Sequence, residues 1–230
     1  MNLLNIQNDA SSVARKCQRN WDYSRTVPQE HIEHLANIAK NAPTKQDEDY
    51  YNIAILTNLK IIDMVYKTTV GFTKLDKING GVLKDDDGAV AWRNPQSRSN
   101  VLFLYFAKEP SSNHTYYFGL KDEKQNGKPI PNTDFNKKVQ DTYAAMGSSI
   151  GVTAFAAAQL GYVTGANKNF FNREQTKISL GLEDMEGKIV YSLGIGYPDT
   201  TLRHYISHEN KVYGSISHNR NRPVEIRYIN

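Results

Sequence analysis

The sequence predicts a fold of mixed helices and strands centred on one long, buried helix. Three observations predict it. Apolar residues recur at helical spacing over 28–40, and two short runs, 51–57 and 100–107, are rich in β-branched, aromatic and aliphatic residues. The stretch Met146 to Gly161 carries small or apolar side chains on every side, which predicts burial all round. Its 230 residues make one large domain or two small ones, long enough to bury a substantial core.

In chain order, a first helix is expected over 9–20, opened by Asp9 or Ser11 and carrying Val13 and Cys17 on one face. Pro28, after Val27, begins a second helix whose Ile32, Leu35, Ile38 and Ala39 form one stripe, and Pro43 ends it. A strand over 51–57 and a helix over 59–70 follow, then a turn-rich excursion marked by Gly80, Gly81 and the run Asp85 to Gly88. The run 100–107 is nearly continuous in apolar residues, as for a strand covered on both faces. Residues 108–132, with Pro110, Gly127, Pro129 and Pro131, read as a loop insertion. Thr133 caps the longest helix, which runs to about Leu160, and Gly161 is its stop. Small side chains let another helix approach, so this helix is also a candidate subunit interface. A short helix over 177–182 and a strand over 188–195 complete the compact part. The tail 203–230 lacks its own core pattern, ends in a plausible strand at 224–229, and is expected to wrap over a neighbouring surface.

Composition excludes several classes. Lysine and arginine exceed aspartate and glutamate by 28 − 24 = 4, and the basic residues are interleaved with acidic ones (Lys84 beside Asp85, Asp86 and Asp87). That pattern is a solvated surface, not a nucleic-acid stripe. One cysteine excludes an intramolecular disulfide. No apolar run nears the roughly 20 residues of a membrane span. Without a basic-then-apolar leader, the expected location is cytoplasmic.

Common catalytic patterns are missing. His31 and His34, or His204 and His208, have helical spacing, but neither pair has a cysteine or metalloprotease-type neighbour, so packing roles are expected and no metal. Neither a Gly-x-Gly-x-x-Gly nor a Gly-x-x-x-x-Gly-Lys-Ser/Thr occurs. A bound phosphate must then be held by basic side chains. Two clusters qualify: Arg15-Lys16-Cys17-Gln18-Arg19, with Arg15 and Arg19 on one helical face, and Arg220-Asn221-Arg222-Pro223.

Taken in order, these segments resemble the FMN-dependent nitroreductase family. Arg15 to Arg19, then Trp21-Asp22 and Val27-Pro28, resembles the family's Arg-Arg-Ser-x-Arg opening and Val-Pro helix start. Ala42-Pro43-Thr44 resembles its Ala-Pro-Ser, and 146–165 resembles the central helix and its exit. Gly194-Ile195-Gly196-Tyr197-Pro198 resembles the Leu-Gly-Tyr-Pro strand end, and Arg220 to Pro223 the Arg-x-Pro tail. The resemblance implies an α+β fold, a three-layer α/β/α sandwich, built as an intertwined homodimer of single-domain chains (1–230) with FMN at the subunit interface. By position, Arg15, Lys16, Cys17 and Arg19 line the phosphate and ribityl end, and Arg220 and Arg222 clamp the phosphate. Pro43 and Thr44 come from the partner subunit, and Asp47, among the cofactor-binding residues, occupies the slot of the family's asparagine. Asn94, with Gln96 or Arg98 nearby, reaches the pyrimidine edge of the flavin, and Ala166, Asn167, Lys168 and Asn169 pass beside its ring.

The implied activity is hydride transfer from NADH or NADPH through FMN N5 to a small-molecule acceptor such as a nitroaromatic or quinone, in ping-pong order with no catalytic side chain. Two departures leave alternatives open. Cys17 replaces the serine of the opening motif, and Lys45-Gln46-Asp47-Glu48-Asp49 replaces an asparagine and Gln-Pro-Trp segment. The alternatives are other flavin chemistry on the same fold (dehydrogenation, dehalogenation or flavin modification) and a dimeric binding protein whose flavin site has decayed.

Overall fold

A computed structural model describes residues 3–69, 94–108, 133–168, 170, 173–199 and 227–228. Among the described residues five α-helices and four strands follow in the order α1 (Leu3–Ala14), α2 (Gln29–Lys40), β1 (Tyr51–Leu56), α3 (Leu59–Lys67), β2 (Val101–Ala107), α4 (Thr133–Gln159), β3 (Val163–Asn167), α5 (Arg173–Ser179) and β4 (Lys188–Gly196). The strands form one antiparallel sheet in the order β1-β2-β4-β3. This is an α+β arrangement. Tyr51 lies opposite Ala107, Val101 opposite Ile195, and Val163 opposite Gly196, with a one-residue slip between β2 and β4 after Tyr105.

β2 explains the sheet's two cores. Strand side chains alternate in direction, so a continuous apolar run serves both faces. Val101, Phe103 and Tyr105 join Leu35 and Ala39 of α2 and Met146 and Ala157 of α4. Leu102, Leu104 and Phe106 point the other way, onto Ile62 and Val65 of α3. Each of these large side chains contributes about 1.5–3 kcal/mol by leaving water. The end of α2 is pinned where the Ala39 carbonyl accepts from Tyr51 Oη and Ser149 Oγ, both at 2.7 Å.

The first helix departs from its expected bounds. It ends at Ala14, and Cys17 forms a parallel bridge with Thr164 of β3. Arg15 and Arg19 therefore do not share a helical face. The reason is tertiary: Gln18 N donates to Thr164 O at 2.8 Å, which offers the chain a strand partner in place of another helical turn. The central helix differs too. Met146, Ser149, Thr153 and Ala157 are buried, but Gly147 and Gly151 are exposed in the single chain, with no atom within 4 Å of an added Cβ. The helix presents one open face, not burial all round. α5 starts and ends earlier than expected and is closed by Gly181 at φ +64°.

Gly161 takes φ +84° at the exit of α4, the left-handed stop its position predicted. His31 packs by its Nδ1 against the Tyr162 hydroxyl at 2.6 Å. Among the described residues no helix is long and apolar enough to cross a membrane. The expectations for 71–93, the 108–132 insertion and the 203–230 tail fall outside the described residues, apart from Lys108, Arg227 and Tyr228.

Candidate functional site

A recess of about 310 Å³ opens between the segment leaving α1, the middle of α4 and β3. Its position follows from the Cys17–Thr164 bridge, which lays residues 15–18 across the sheet edge. The contact is close: a Cβ on Gly165 would lie 2.6 Å from Gln18 O and 3.1 Å from Gln96 Cβ. Only a residue without a side chain lets the segment sit there. Arg15, Lys16 and Cys17 thereby form one rim. Arg19 turns back, its Nη1 donating to Cys17 O at 3.3 Å.

The walls are apolar or small: Ile150, Gly151, Ala154 and Phe155 from α4, Thr164 and Ala166 from β3, and Leu193 from β4. Among the described residues no carboxylate lines the recess. Two cations at the rim of a mainly apolar recess suit a ligand with a weakly polar body and an anionic tail. FMN has that form, and the residues present fit it. The open space over Gly151 brings the slot down to helix backbone, where a Cβ would otherwise stand.

Behind β3 lies a buried polar network. Asn94 Nδ2 donates to Asn167 Oδ1 at 2.7 Å, and Asn167 Nδ2 donates to Ser97 Oγ at 3.1 Å. Asn94 Oδ1 accepts from Gln96 N at 3.1 Å, and Asn94 N donates to Thr69 Oγ1 at 2.9 Å. Asn94, Gln96 and Asn167 are 8%, 7% and 3% exposed. Alternation along β3 explains the split, since Thr164 and Ala166 face the recess and Gly165 and Asn167 face this network. The carboxamides of Asn94 and Asn167 bond to each other, to the Ser97 hydroxyl and to the Gln96 backbone, and neither they nor Gln96 line the recess.

Thr44 and Asp47 line a different recess, of about 590 Å³, with Lys40, Tyr50, Tyr51 and Lys108. Pro43 is exposed at its approach. Burial, reinforced by the Glu48 and Asp141 charges, pushes the Tyr50 phenol up to about 12. Lys168 is exposed at the end of β3. Asn169, Arg220 and Arg222 lie outside the described residues.

The structure thus brings Arg15, Lys16, Cys17 and Ala166 together and keeps Thr44 and Asp47 apart from them in one chain. Sequence reasoning missed the walls Ile150, Ala154, Phe155 and Leu193. For the three on α4 the signal was present in its small-residue stretch, read there as room for a helix, while Leu193 belongs to β4.

No protein-family model matches the chain, and no curated protein matches it by sequence. Solved structures do. A BluB-like flavoprotein from Clostridium difficile 630 superposes with a TM-score of 0.58 at 16% identity, covering 88% of this chain and 93% of that one. Nitroreductase A from Vibrio parahaemolyticus RIMD 2210633 gives 0.55 at 13% identity, over 99% and 79%. A nitroreductase family protein from Clostridium novyi NT gives 0.53 at 11% identity, over 87% of each. The chain has the nitroreductase fold. At these identities the likeness is one of architecture, and the chemistry of this nitroreductase-like chain must be argued from its own residues.

Proposed function

We propose that the chain is an FMN-dependent oxidoreductase that passes hydride from NADH or NADPH to a small oxidised acceptor such as a nitroaromatic or quinone. The observation that carries this reading is the apolar slot between α4 and β3 with Arg15 and Lys16 at its rim. Bound FMN would supply the redox chemistry at N5, donor and acceptor using one site in turn.

The chain's own residues would bind and orient. Arg15 and Lys16 attract the phosphate, and the tail arginines Arg220 and Arg222 complete its clamp. Ile150, Ala154 and Phe155 exclude water from one side of the ring. β3 presents backbone at Ala166, braced from behind by the Asn94–Asn167 pair. Asn94, Gln96 and Asn167 support the site from behind β3. Two features support a homodimer: the open Gly147–Gly151 face of α4, and the exposed Leu3 and Leu4 on α1, which packs beside α4. In the dimer, Pro43, Thr44 and Asp47 of one subunit reach the flavin of the other, and the tail 203–230 wraps the partner. The chain acts as one domain, in the cytoplasm.

The test is the visible spectrum of purified, dialysed protein, before and after FMN is added. A retained flavin band that bleaches anaerobically with NADH or NADPH is the expected result. A bound flavin that neither nicotinamide reduces would replace this reading with other flavin chemistry. No flavin uptake would leave a binding protein on a nitroreductase fold.

A further inference from the structure

Residues 15–27, between α1 and α2, form neither helix nor regular strand, so their position is set by ties to other elements. Gln18 N donates to Thr164 O of β3 at 2.8 Å, and Gln18 Nε2 donates to Asn20 O at 2.6 Å. Beyond that point the segment runs beside the chain leaving β4. Trp21 bridges Pro198, Asp22 N donates to Tyr197 O at 2.9 Å, and Asp199 N donates to Asn20 O at 3.1 Å. The stretch bearing Arg15 and Lys16 is thereby bonded to a pair of segments that extends past the end of β4.

Two side chains tie that pair to the chain entering β2. Trp21 Nε1 donates to Pro95 O at 2.8 Å. Asn100, buried one residue before β2, joins both members of the pair. Its Nδ2 donates to Asp22 O at 2.8 Å and to Arg25 O at 2.9 Å, and its Oδ1 accepts from Tyr197 N at 3.1 Å. Both amide hydrogens and the oxygen are used by backbone groups. The backbone opposite is cleared for this carboxamide: a Cβ on Gly196 would overlap Asn100 Oδ1 and lie 2.7 Å from its Cγ. A side chain at 196 and this pose of Asn100 therefore exclude each other. Aspartate has the same shape, but it lacks the donors and would turn a charge on two carbonyl oxygens.

We infer that Asn100 is a positioning residue: in the room left by Gly196 it holds the 20–25 segment in the register that sets Arg15 and Lys16 on the rim of the recess. Its consequence for phosphate binding rests on the flavin reading above; its hold on residues 20–25 and Tyr197 does not.

Hydrogen–deuterium exchange of the full-length protein, with titrations of FMN and riboflavin, tests both. Asn100→Asp is expected to speed exchange of amides 20–26 by about tenfold, leaving β2 and β4 unchanged. Gly196→Ala displaces the same carboxamide, so it gives the same pattern and also releases the Tyr197 amide. Added to Asn100→Gly, Gly196→Ala brings no further acceleration, because the two changes remove one set of bonds. The FMN dissociation constant rises by about fivefold in Asn100→Asp, while that of riboflavin, which lacks the phosphate, is unchanged. Unchanged exchange in 20–26, acceleration spread equally through β2 and β4, or additive effects of the two changes would overturn the inference. So would an equal rise for FMN and riboflavin, or no rise for either. A wild-type protein that takes up no FMN would defeat the flavin reading alone, and the exchange comparison would still decide whether Asn100 holds the segment.

Discussion

Gly165 shows how much a single missing side chain can govern. The arginine-bearing segment reaches the sheet because nothing projects from β3 at that point, where a Cβ would meet Gln18 O at 2.6 Å. Both contacts are to parts that cannot swing aside, one a backbone carbonyl and the other a buried glutamine stem. Gly165→Ala is therefore expected to lower stability by about 1–3 kcal/mol in urea unfolding. It should also weaken FMN binding, because the displaced segment carries Arg15 and Lys16. Unchanged stability together with unchanged binding would show that the segment has room to move. Asn94 teaches the complementary lesson. Its residue type suited a flavin edge, yet its carboxamide is used by Asn167 and the Gln96 amide. Buried amides take the nearest partners, and one sequence does not name them.

Among the elements, α4 does two jobs with two faces. Met146, Ser149, Thr153 and Ala157 face the core, while Gly147 and Gly151 look outward into open space. A Cβ at 151 meets no atom of its own chain within 4 Å, and the larger ring of a phenylalanine would extend into the recess. Gly151→Phe is thus expected to retain a wild-type unfolding midpoint. It should also shift the protein from dimer to monomer in light scattering and abolish retained flavin, since Gly151 lines the recess. Persistence of a flavin-loaded dimer would remove this face from both roles. The element-level signal in the sequence was real but ambiguous. Small residues on all sides of a helix are equally suited to a core, a partner and a planar ligand, and neighbours supplied by distant segments decide between them.

For the molecule as a whole, alkaline pH reports on the core. Burial pushes the Tyr105 phenol from its ordinary 10.0 to about 12, against the hydrogen bond with Ser149 Oγ at 3.2 Å that lowers it. Burial raises Tyr50 and Tyr23 to about 12 as well, though Tyr23 is 42% exposed and contributes less. The folded state then holds these protons more tightly than the unfolded chain. Below about pH 10 both states are protonated, and these groups give stability no slope. Between about 10 and 12 the unfolded chain binds fewer protons, so the free energy of unfolding falls as pH rises. Urea midpoints should be flat toward pH 9.5 and decline above it, with a shallower decline in Tyr105→Phe. An equal decline in that variant would assign the loss to other groups.

What the residues determined by themselves was local and periodic. The apolar runs and stripes specified β1, β2 and α2, because each is a one-dimensional pattern with one geometric reading. Gly161 and Pro28 marked helix ends through backbone constraints that act wherever those residues stand. Tertiary structure decided the rest. The end of α1 was set by Thr164, about 150 residues along the chain, offering Gln18 a strand bond. Basic residues read as one helical face line the rim of a recess, and the side chains of Asn94 and Asn167 pair with each other behind β3. Each of those outcomes depends on which distant backbone groups come within hydrogen-bonding reach. Only packing fixes that.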